Sequence, residues 1–191
     1  MRIARTTALF PILLSSVAVA QTASPATPAA AAPTAPSAQP PRCVAAEHRQ
    51  FDFWVGNWDV YQTGTDRRVG RNLIESLYNG CAIRENWAPL GGGLGGSLNS
   101  WLPGERKWRQ TWVDSSNSYA VFEGGLDGEA MVLTGTWPGA AGPGTTPLIR
   151  MRYTREAGGA VRQLGEQSTD QGTTWAPSFD LTYRPSRTAS D

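Results

Sequence analysis

The stretch that decides the fold of this chain reads Phe51-Asp52-Phe53-Trp54-Val55-Gly56-Asn57-Trp58-Asp59-Val60-Tyr61. Its first half places three aromatic side chains within four residues. From Gly56 onward, large and polar side chains alternate, which is the period of a β-strand with one buried face. This stretch therefore predicts the entry into the first strand of a β fold.

The rest of the chain repeats this pattern. Past residue 50, short alternating runs are separated by Gly, Pro, Asn and Asp, and no long stretch has a helical period. Such a pattern is typical of an all-β meander. Turn signals such as Asn79-Gly80 and Asp127-Gly128 mark the breaks. The predicted strands lie near residues 54–63, 68–77, 82–87, 97–102, 107–114, 119–123, 131–137, 148–155, 161–167 and 175–184.

Ten short strands protect their edges most easily by closing into a barrel. The predicted fold is therefore a single antiparallel up-and-down β-barrel of about 8–10 strands. A short helical turn at Ala45–Phe51 is expected before the first strand.

The two ends of the chain have a different composition. Arg2 and Arg5 precede an apolar run that ends in Ala18-Val19-Ala20, the pattern of a secretory signal peptide cleaved after Ala20. An ordinary N-terminal helix is the alternative. Residues 21–42 are rich in Ala, Pro and Thr and lack large apolar side chains to bury, which predicts a disordered linker. The expected organisation is a signal peptide over 1–20, a linker over 21–42, the barrel domain over 43–185 and a flexible tail over 186–191, in a periplasmic or secreted protein.

The net charge and the cysteine content limit which binding partners and metal sites this chain can have. The net charge of +1 argues against nucleic acid or an anionic membrane as a partner. No later segment is apolar for long enough to form a stable membrane anchor.

In an exported chain, the pair Cys43 and Cys81 predicts a disulfide. Two free buried thiols or a metal site are the alternatives, but zinc would need further ligands and His48 is the only histidine. We expect no metal and no cofactor, and the composition indicates no oligomeric state.

Several predicted strands place an aromatic residue beside an acid or an amide on one face. A lining of this kind can stack on a ligand and hydrogen-bond to it. The predicted ligand-binding residues are Glu85, Trp87, Gln110, Trp112, Glu123, Arg152 and Gln163. Because an unpaired buried charge is costly, we expect Arg152 to pair with Glu85 or Glu123. Residues 91–96 are nearly all glycine and would form a mobile cover. The alternative is that the tryptophans only fill a core.

The stretch Ser168-Thr169-Asp170-Gln171-Gly172-Thr173-Thr174-Trp175 is similar to the Asp-box hairpin of sialidases. In that hairpin Asp170 would accept hydrogen bonds from backbone amides, Gly172 would take the positive-φ position, and Trp175 would pack beneath the turn. Sialidase propellers carry several copies, whereas this chain has one. We interpret it as a structural hairpin without sialidase function.

No nucleophile, metal or cofactor motif occurs in a suitable context. The sequence therefore predicts a binding protein for a small, partly polar or amphipathic molecule, with catalytic residues absent. One alternative is a hydrolase- or isomerase-like enzyme that uses Glu85 with Glu123 or Asp114 as a carboxylate pair. The other is a structural envelope protein with a filled barrel.

A resemblance adds to these predictions. Residues 48–60, 80–87 and 107–114, with Glu123-Gly124-Gly125 and the hairpin at 168–175, resemble an uncharacterised family of secreted bacterial domains with a lipocalin-like (calycin) barrel. The resemblance implies that Gly56-x-Trp58 opens the first strand and that Arg184, near the end of the last strand, covers Trp58 through a cation–π contact. A strand count nearer ten leaves open a barrel like that of fatty-acid-binding proteins or nitrobindins.

Overall fold

The computed structural model describes residues 43–187. The predicted signal peptide and linker, and residues 188–191, lie outside the described residues. The described part contains ten β-strands. They are β1 Gly56–Gln62, β2 Arg68–Leu77, β3 Ala82–Pro89, β4 Gly95–Leu102, β5 Lys107–Asp114, β6 Tyr119–Asp127, β7 Ala130–Thr136, β8 Leu148–Arg155, β9 Val161–Ser168 and β10 Ala176–Pro185.

The strands form one closed antiparallel barrel. Each strand pairs with its neighbours in the chain, and β1 closes the barrel by pairing with β10, with Val60 opposite Tyr183. Ser186 N–H then donates to the carbonyl of Asn57 at 2.8 Å, so the pairing reaches just past β10. The predicted all-β, up-and-down barrel is confirmed. Closure gives every strand two partners and leaves no edge for aggregation among the described residues.

Residues 43–55, here called the plug, fill one end of the barrel. They contain two short 3-10 helices, Ala46–Arg49 and Asp52–Trp54. The rings of Phe51 and Trp54 are 0% exposed and stack with their centroids 4.9 Å apart. Tyr153, at the end of β8, packs against both rings at 5.0 Å. These aromatic rings close this end of the barrel.

Two further tryptophans join the plug to the strands. The indole N–H of Trp58 donates to the carbonyl of Trp54 at 2.9 Å, and that of Trp108 donates to Gln50 Oε1 at 3.1 Å. A Cβ at position 56 would lie 2.9 Å from the Trp58 ring, so only glycine fits there. This close approach is the physical reason for the Gly-x-Trp pattern in this chain.

A disulfide fastens the plug covalently. Cys43 and Cys81 are bonded, with their Cα atoms 5.1 Å apart, which confirms the predicted bridge. Cys81 lies between β2 and β3, so the bridge ties the start of the plug to the barrel wall. The guanidinium of Arg49 also donates to the carbonyl of Gly80.

The predicted contact between Arg184 and Trp58 is wrong. Arg184 lies opposite Asp59 in the β1–β10 pair and so points outward, whereas Trp58 points inward and is buried. The Arg184 guanidinium instead lies 4.2 Å from the centroid of the Tyr61 ring and 3.0 Å from Asp66. The period of two along β1 separates Trp58 from the face that Arg184 can reach.

Candidate functional site

The barrel end opposite the plug contains a cavity of about 150 Å³. Its walls are mainly aromatic and its inner end is mainly polar. The wall residues are Trp87, Trp112, Phe122, Trp137 and Phe179, and the polar residues are Glu85, Gln110, Tyr153, Gln163 and Tyr183. Tyr153 and Tyr183 also contact Trp54, so the plug supports the inner end of the cavity.

Glu85 is the acidic residue of this inner end. Its side chain on β3 points into the barrel and is 7% exposed. Asn72 Nδ2 donates to Oε1 and Ser97 Oγ donates to Oε2, each at 2.7 Å. These two donors come from β2 and β4, so both neighbouring strands hold the carboxyl group. The arrangement fixes the position of Glu85 beside the cavity.

Glu85 has no cationic partner among residues 43–187. Every ion pair in this part of the chain involves another carboxylate. Burial raises the pKa of Glu85, and the hydrogen bonds from Ser97 and Asn72 oppose this rise only in part. A buried carboxyl group without a cation is unusual, since buried charges are normally paired. Its position on a cavity makes Glu85 the first candidate for contact with a ligand.

Gln163 links the two tyrosines of the inner end. The Tyr183 hydroxyl donates to Gln163 Oε1 at 2.5 Å, and Gln163 Nε2 donates to the Tyr153 hydroxyl oxygen at 2.9 Å. Tyr153 donates in turn to the sulfur of Met151 at 3.6 Å, and a thioether is a weak acceptor. Burial raises the pKa of both tyrosines well above its usual value, and the negative charge of Glu85 acts in the same direction. Both hydroxyls therefore stay protonated, and that of Tyr153 can be donated to a ligand.

The aromatic walls are held in place from the rim. The Trp112 and Trp137 rings lie 5.8 Å apart, and Phe122 packs against Trp137 at 5.9 Å. The Trp112 N–H donates to Asp114 at 3.0 Å and the Trp137 N–H to Ser118 at 2.7 Å. Because both N–H groups are already bonded, these two indoles offer the cavity their ring surfaces.

Five of the predicted ligand-binding residues line the cavity, and each points into the barrel as expected. They are Glu85, Trp87, Gln110, Trp112 and Gln163. The structure thus brings these side chains, from strands β3, β5 and β9, to one place. Contact with a ligand stays a prediction for all five.

The predicted inward orientation of Glu123 and Arg152 is wrong. Glu123 lies on the outer face of β6, where it binds Lys107 and Arg109, and these partners lower the pKa of Glu123. Arg152 lies on the outer face of β8 and pairs with Asp127 at 2.6 Å. Phe122 and Met151, their chain neighbours, point inward instead. The apolar residue takes the buried face because two unpaired charges there would be strongly destabilising.

Two further hypotheses fail with these orientations. Glu85 and Glu123 lie on opposite sides of the barrel wall, so they cannot act together as a carboxylate pair. Arg152 cannot neutralise Glu85, because its guanidinium is bound to Asp127 on the outside. Glu85 inside the barrel therefore has no contact with the ion pairs of Glu123 and Arg152 on the outer surface.

Sequence reasoning missed several cavity residues. Phe122, Trp137, Met151, Tyr153, Phe179, Leu181 and Tyr183 all line the cavity, and Asn72 and Ser97 hold Glu85. One signal was available, because Phe179, Leu181 and Tyr183 alternate with polar residues along the last strand. For Asn72 and Ser97 the sequence carries no such signal, since their role depends on the register of three strands.

The glycine-rich stretch 91–96 is only partly a loop. Gly95 and Gly96 belong to β4. A Cβ on Gly95 would lie 2.6 Å from the Trp112 ring, and one on Gly96 would collide with the carbonyl of Glu85. These two glycines therefore allow close packing around the site. A covering role for the remaining residues stays a prediction.

The hairpin at 168–175 has the predicted internal structure. Asp170 Oδ1 accepts from the Thr174 backbone N–H at 2.9 Å, Gly172 has a φ of +90°, and the Trp175 indole N–H donates to the Gly172 carbonyl at 3.1 Å. Hydrogen bonds from Ser168 and Thr174 lower the pKa of Asp170 to about 2. Arg150 lies 4.1 Å above the Trp175 ring on the outside of the barrel. These contacts stabilise the turn itself.

Within residues 43–187, the side chains of His, Cys, Asp and Glu nowhere gather in a group of three that could hold a metal ion. The same residues include no helix with the length and apolarity needed to cross a bilayer. No family model matches this chain, and no curated protein matches its sequence significantly.

Proposed function

We propose that this protein is exported and that its barrel binds a small, partly polar or amphipathic molecule in the cavity opposite the plug. The observation that carries the proposal is the cavity itself, which has aromatic walls and, at its inner end, a buried carboxyl group without a cationic partner. Ligand pockets are generally lined by apolar and aromatic side chains with a few polar groups that fix orientation. Export is supported by the Cys43–Cys81 disulfide, since such bonds persist in oxidising compartments.

The size of the cavity limits the ligand. A volume of about 150 Å³ corresponds to a molecule roughly the size of benzene or a small amine. A barrel filled only for stability would not retain such a space beside an ionisable group, because cavities and buried charges both destabilise a core. The barrel is filled at the plug and hollow at the other end, which favours binding over a purely structural role.

Ligand-observed NMR with a library of small aromatic and amphipathic molecules tests this proposal. Binding should be weakened in Leu181→Phe, because Leu181 lines the cavity and a larger side chain would occupy it. Val121→Phe is the matched control, since Val121 lies on the outer face of β6. Native mass spectrometry of the protein from its own host would show the natural ligand as an added mass. If no molecule binds, or if Leu181→Phe binds the library as the wild type does, the proposal is wrong.

A further inference from the structure

The electrostatics of the cavity indicate the class of ligand. Glu85 is the acidic side chain at its inner end, and the polar groups around it are neutral amides and hydroxyls. Asn72 and Ser97 each give one hydrogen bond to the carboxyl group, but neither supplies a positive charge. A neutral ligand would therefore leave ionised Glu85 without a counter-charge in a cavity whose walls are largely apolar. A cationic ligand would supply the missing partner.

The walls of the cavity also favour a cationic ligand. Trp87, Trp112 and Trp137 all line it, and indole rings attract cations more strongly than other aromatic side chains do. The N–H groups of Trp112 and Trp137 are bound to Asp114 and Ser118, so the ligand meets the rings rather than these donors. Asp114 adds a second negative charge beside the wall. Burial tends to raise its pKa, but the hydrogen bonds from Ser116, Trp112 and Ser118 together lower it.

We propose that the ligand of this cavity is a small organic cation, a substituted or quaternary ammonium compound, whose charge lies between Glu85 and the indole rings. This inference rests on the proposed function, because it names the chemistry of a ligand in the same cavity. The carboxyl group provides the charge selectivity, and the rings provide an apolar surface that a strongly hydrated inorganic cation cannot use.

Two matched pairs of probes separate charge from shape. Choline and 3,3-dimethylbutan-1-ol differ in a quaternary nitrogen replaced by carbon, and benzylammonium and benzyl alcohol form an aromatic pair. Binding to the full chain is measured by ligand-observed NMR and calorimetry at neutral pH. In at least one pair we expect the cation to bind about tenfold more tightly or better, which corresponds to about 1.4 kcal/mol.

Two variants locate the source of this preference. Glu85→Gln should remove most of it, because the amide keeps the shape of the side chain without the charge. Glu123→Gln is the control, since this carboxylate is bound to Lys107 and Arg109 outside the barrel and its loss should leave the preference unchanged. Near-UV circular dichroism checks that both variants keep the native packing.

A pH titration of the wild type gives the same information if Glu85→Gln does not fold. The charge of choline does not depend on pH, so its affinity should rise with pH as Glu85 ionises, while the alcohol affinity stays constant. Tyr153 and Tyr183 also sense Glu85, and burial raises the pKa of both, so they stay protonated over this range. Asp114 is the titratable group beside the cavity wall, and its lowered pKa keeps its charge constant as Glu85 ionises. Choline binding that is unaffected by pH would overturn the inference.

The outcomes distinguish this inference from the proposed function. If the neutral member of each pair binds as well as the cation, or if only neutral library molecules bind, the ligand is not a cation but the cavity still binds small molecules. If neither the probes nor any library molecule binds, both proposals are wrong. If the preference is equal in Glu85→Gln and the wild type, Glu85 is not its source and the inference fails.

Discussion

The disulfide between the plug and the barrel should contribute a large part of the stability of this protein. Cys43 and Cys81 are separated by 38 residues, and in the chain-entropy model a closed loop of this length stabilises the fold by about 4 kcal/mol at 25 °C. Domains of this size are stable by about 5–15 kcal/mol in total. The variant with both Cys43→Ser and Cys81→Ser should therefore unfold at a clearly lower denaturant concentration.

Urea unfolding followed by far-UV circular dichroism measures this effect, with the reduced wild type as a second test. The m-value should rise slightly, because the unfolded chain without the bridge exposes more surface. Phe51→Ala keeps the disulfide but removes a fully buried ring from the plug, and it should cost about 3–5 kcal/mol by a different mechanism. A loss below about 1 kcal/mol on removing the bridge would refute the chain-entropy argument.

Three other predictions follow from single residues. Burial raises the pKa of Glu85 in the folded state above its ordinary value of about 4.5. The wild type should therefore lose stability relative to Glu85→Gln as pH rises from about 4.5 through the folded-state pKa. A difference in melting temperature that stays constant with pH would contradict this. Hydrogen bonds lower the pKa of Asp170 from 3.8 to about 2, so Asp170→Asn should melt earlier at neutral pH, and this difference should disappear as pH falls through that interval. Gly124→Ala should cost about 1–3 kcal/mol in urea unfolding because its Cβ would collide with the Val132 carbonyl, whereas Gly125→Ala, with open space around it, should be neutral or slightly stabilising.

The strands could be predicted from the sequence because local rules decide them. The runs 68–77, 107–114 and 148–155 were predicted with the observed bounds, since each is an alternating segment enclosed by strong turn residues. The disulfide was predictable from two cysteines in a chain whose first residues are predicted to be an export signal. Neither inference needed knowledge of how distant strands align.

The inward face of a strand was predictable only where one face is clearly different from the other. In β5, Trp108, Gln110 and Trp112 alternate with residues such as Arg109, and their inward direction was predicted correctly. In β6 the alternation of Glu123 with Tyr119 and Val121 predicts that Glu123 points inward, and Arg152 of β8 is predicted inward as a cationic partner. Both predictions fail because ion pairs on the outer surface already satisfy these residues, Glu123 with Arg109 and Arg152 with Asp127.

The contacts around Glu85 could not be predicted, because they depend on the register of strands that lie far apart in the sequence. Glu85 stands opposite Ser97 in the β3–β4 pair, and Asn72 reaches it from β2. A shift of one residue in either pairing would turn these side chains to the other face and remove the hydrogen bonds. The position of a residue in the sequence does not determine this register. The register is determined by the pairing of all the strands in the closed barrel.

The surroundings of Glu85 support the proposed binding function rather than a purely stabilising role. Replacing a buried ionisable group by an apolar residue of similar size is often neutral or stabilising, so a barrel core selected for stability alone has no need of a carboxyl group at this position. Here Asn72 and Ser97 hold the carboxyl group from both neighbouring strands, and Gly96 allows the β4 backbone to pass close to the backbone carbonyl of Glu85. These contacts keep an ionisable group next to a cavity without neutralising it. A cationic ligand could therefore form an ion pair with the carboxylate of Glu85. Such a ligand would restore the stability that burial of Glu85 removes.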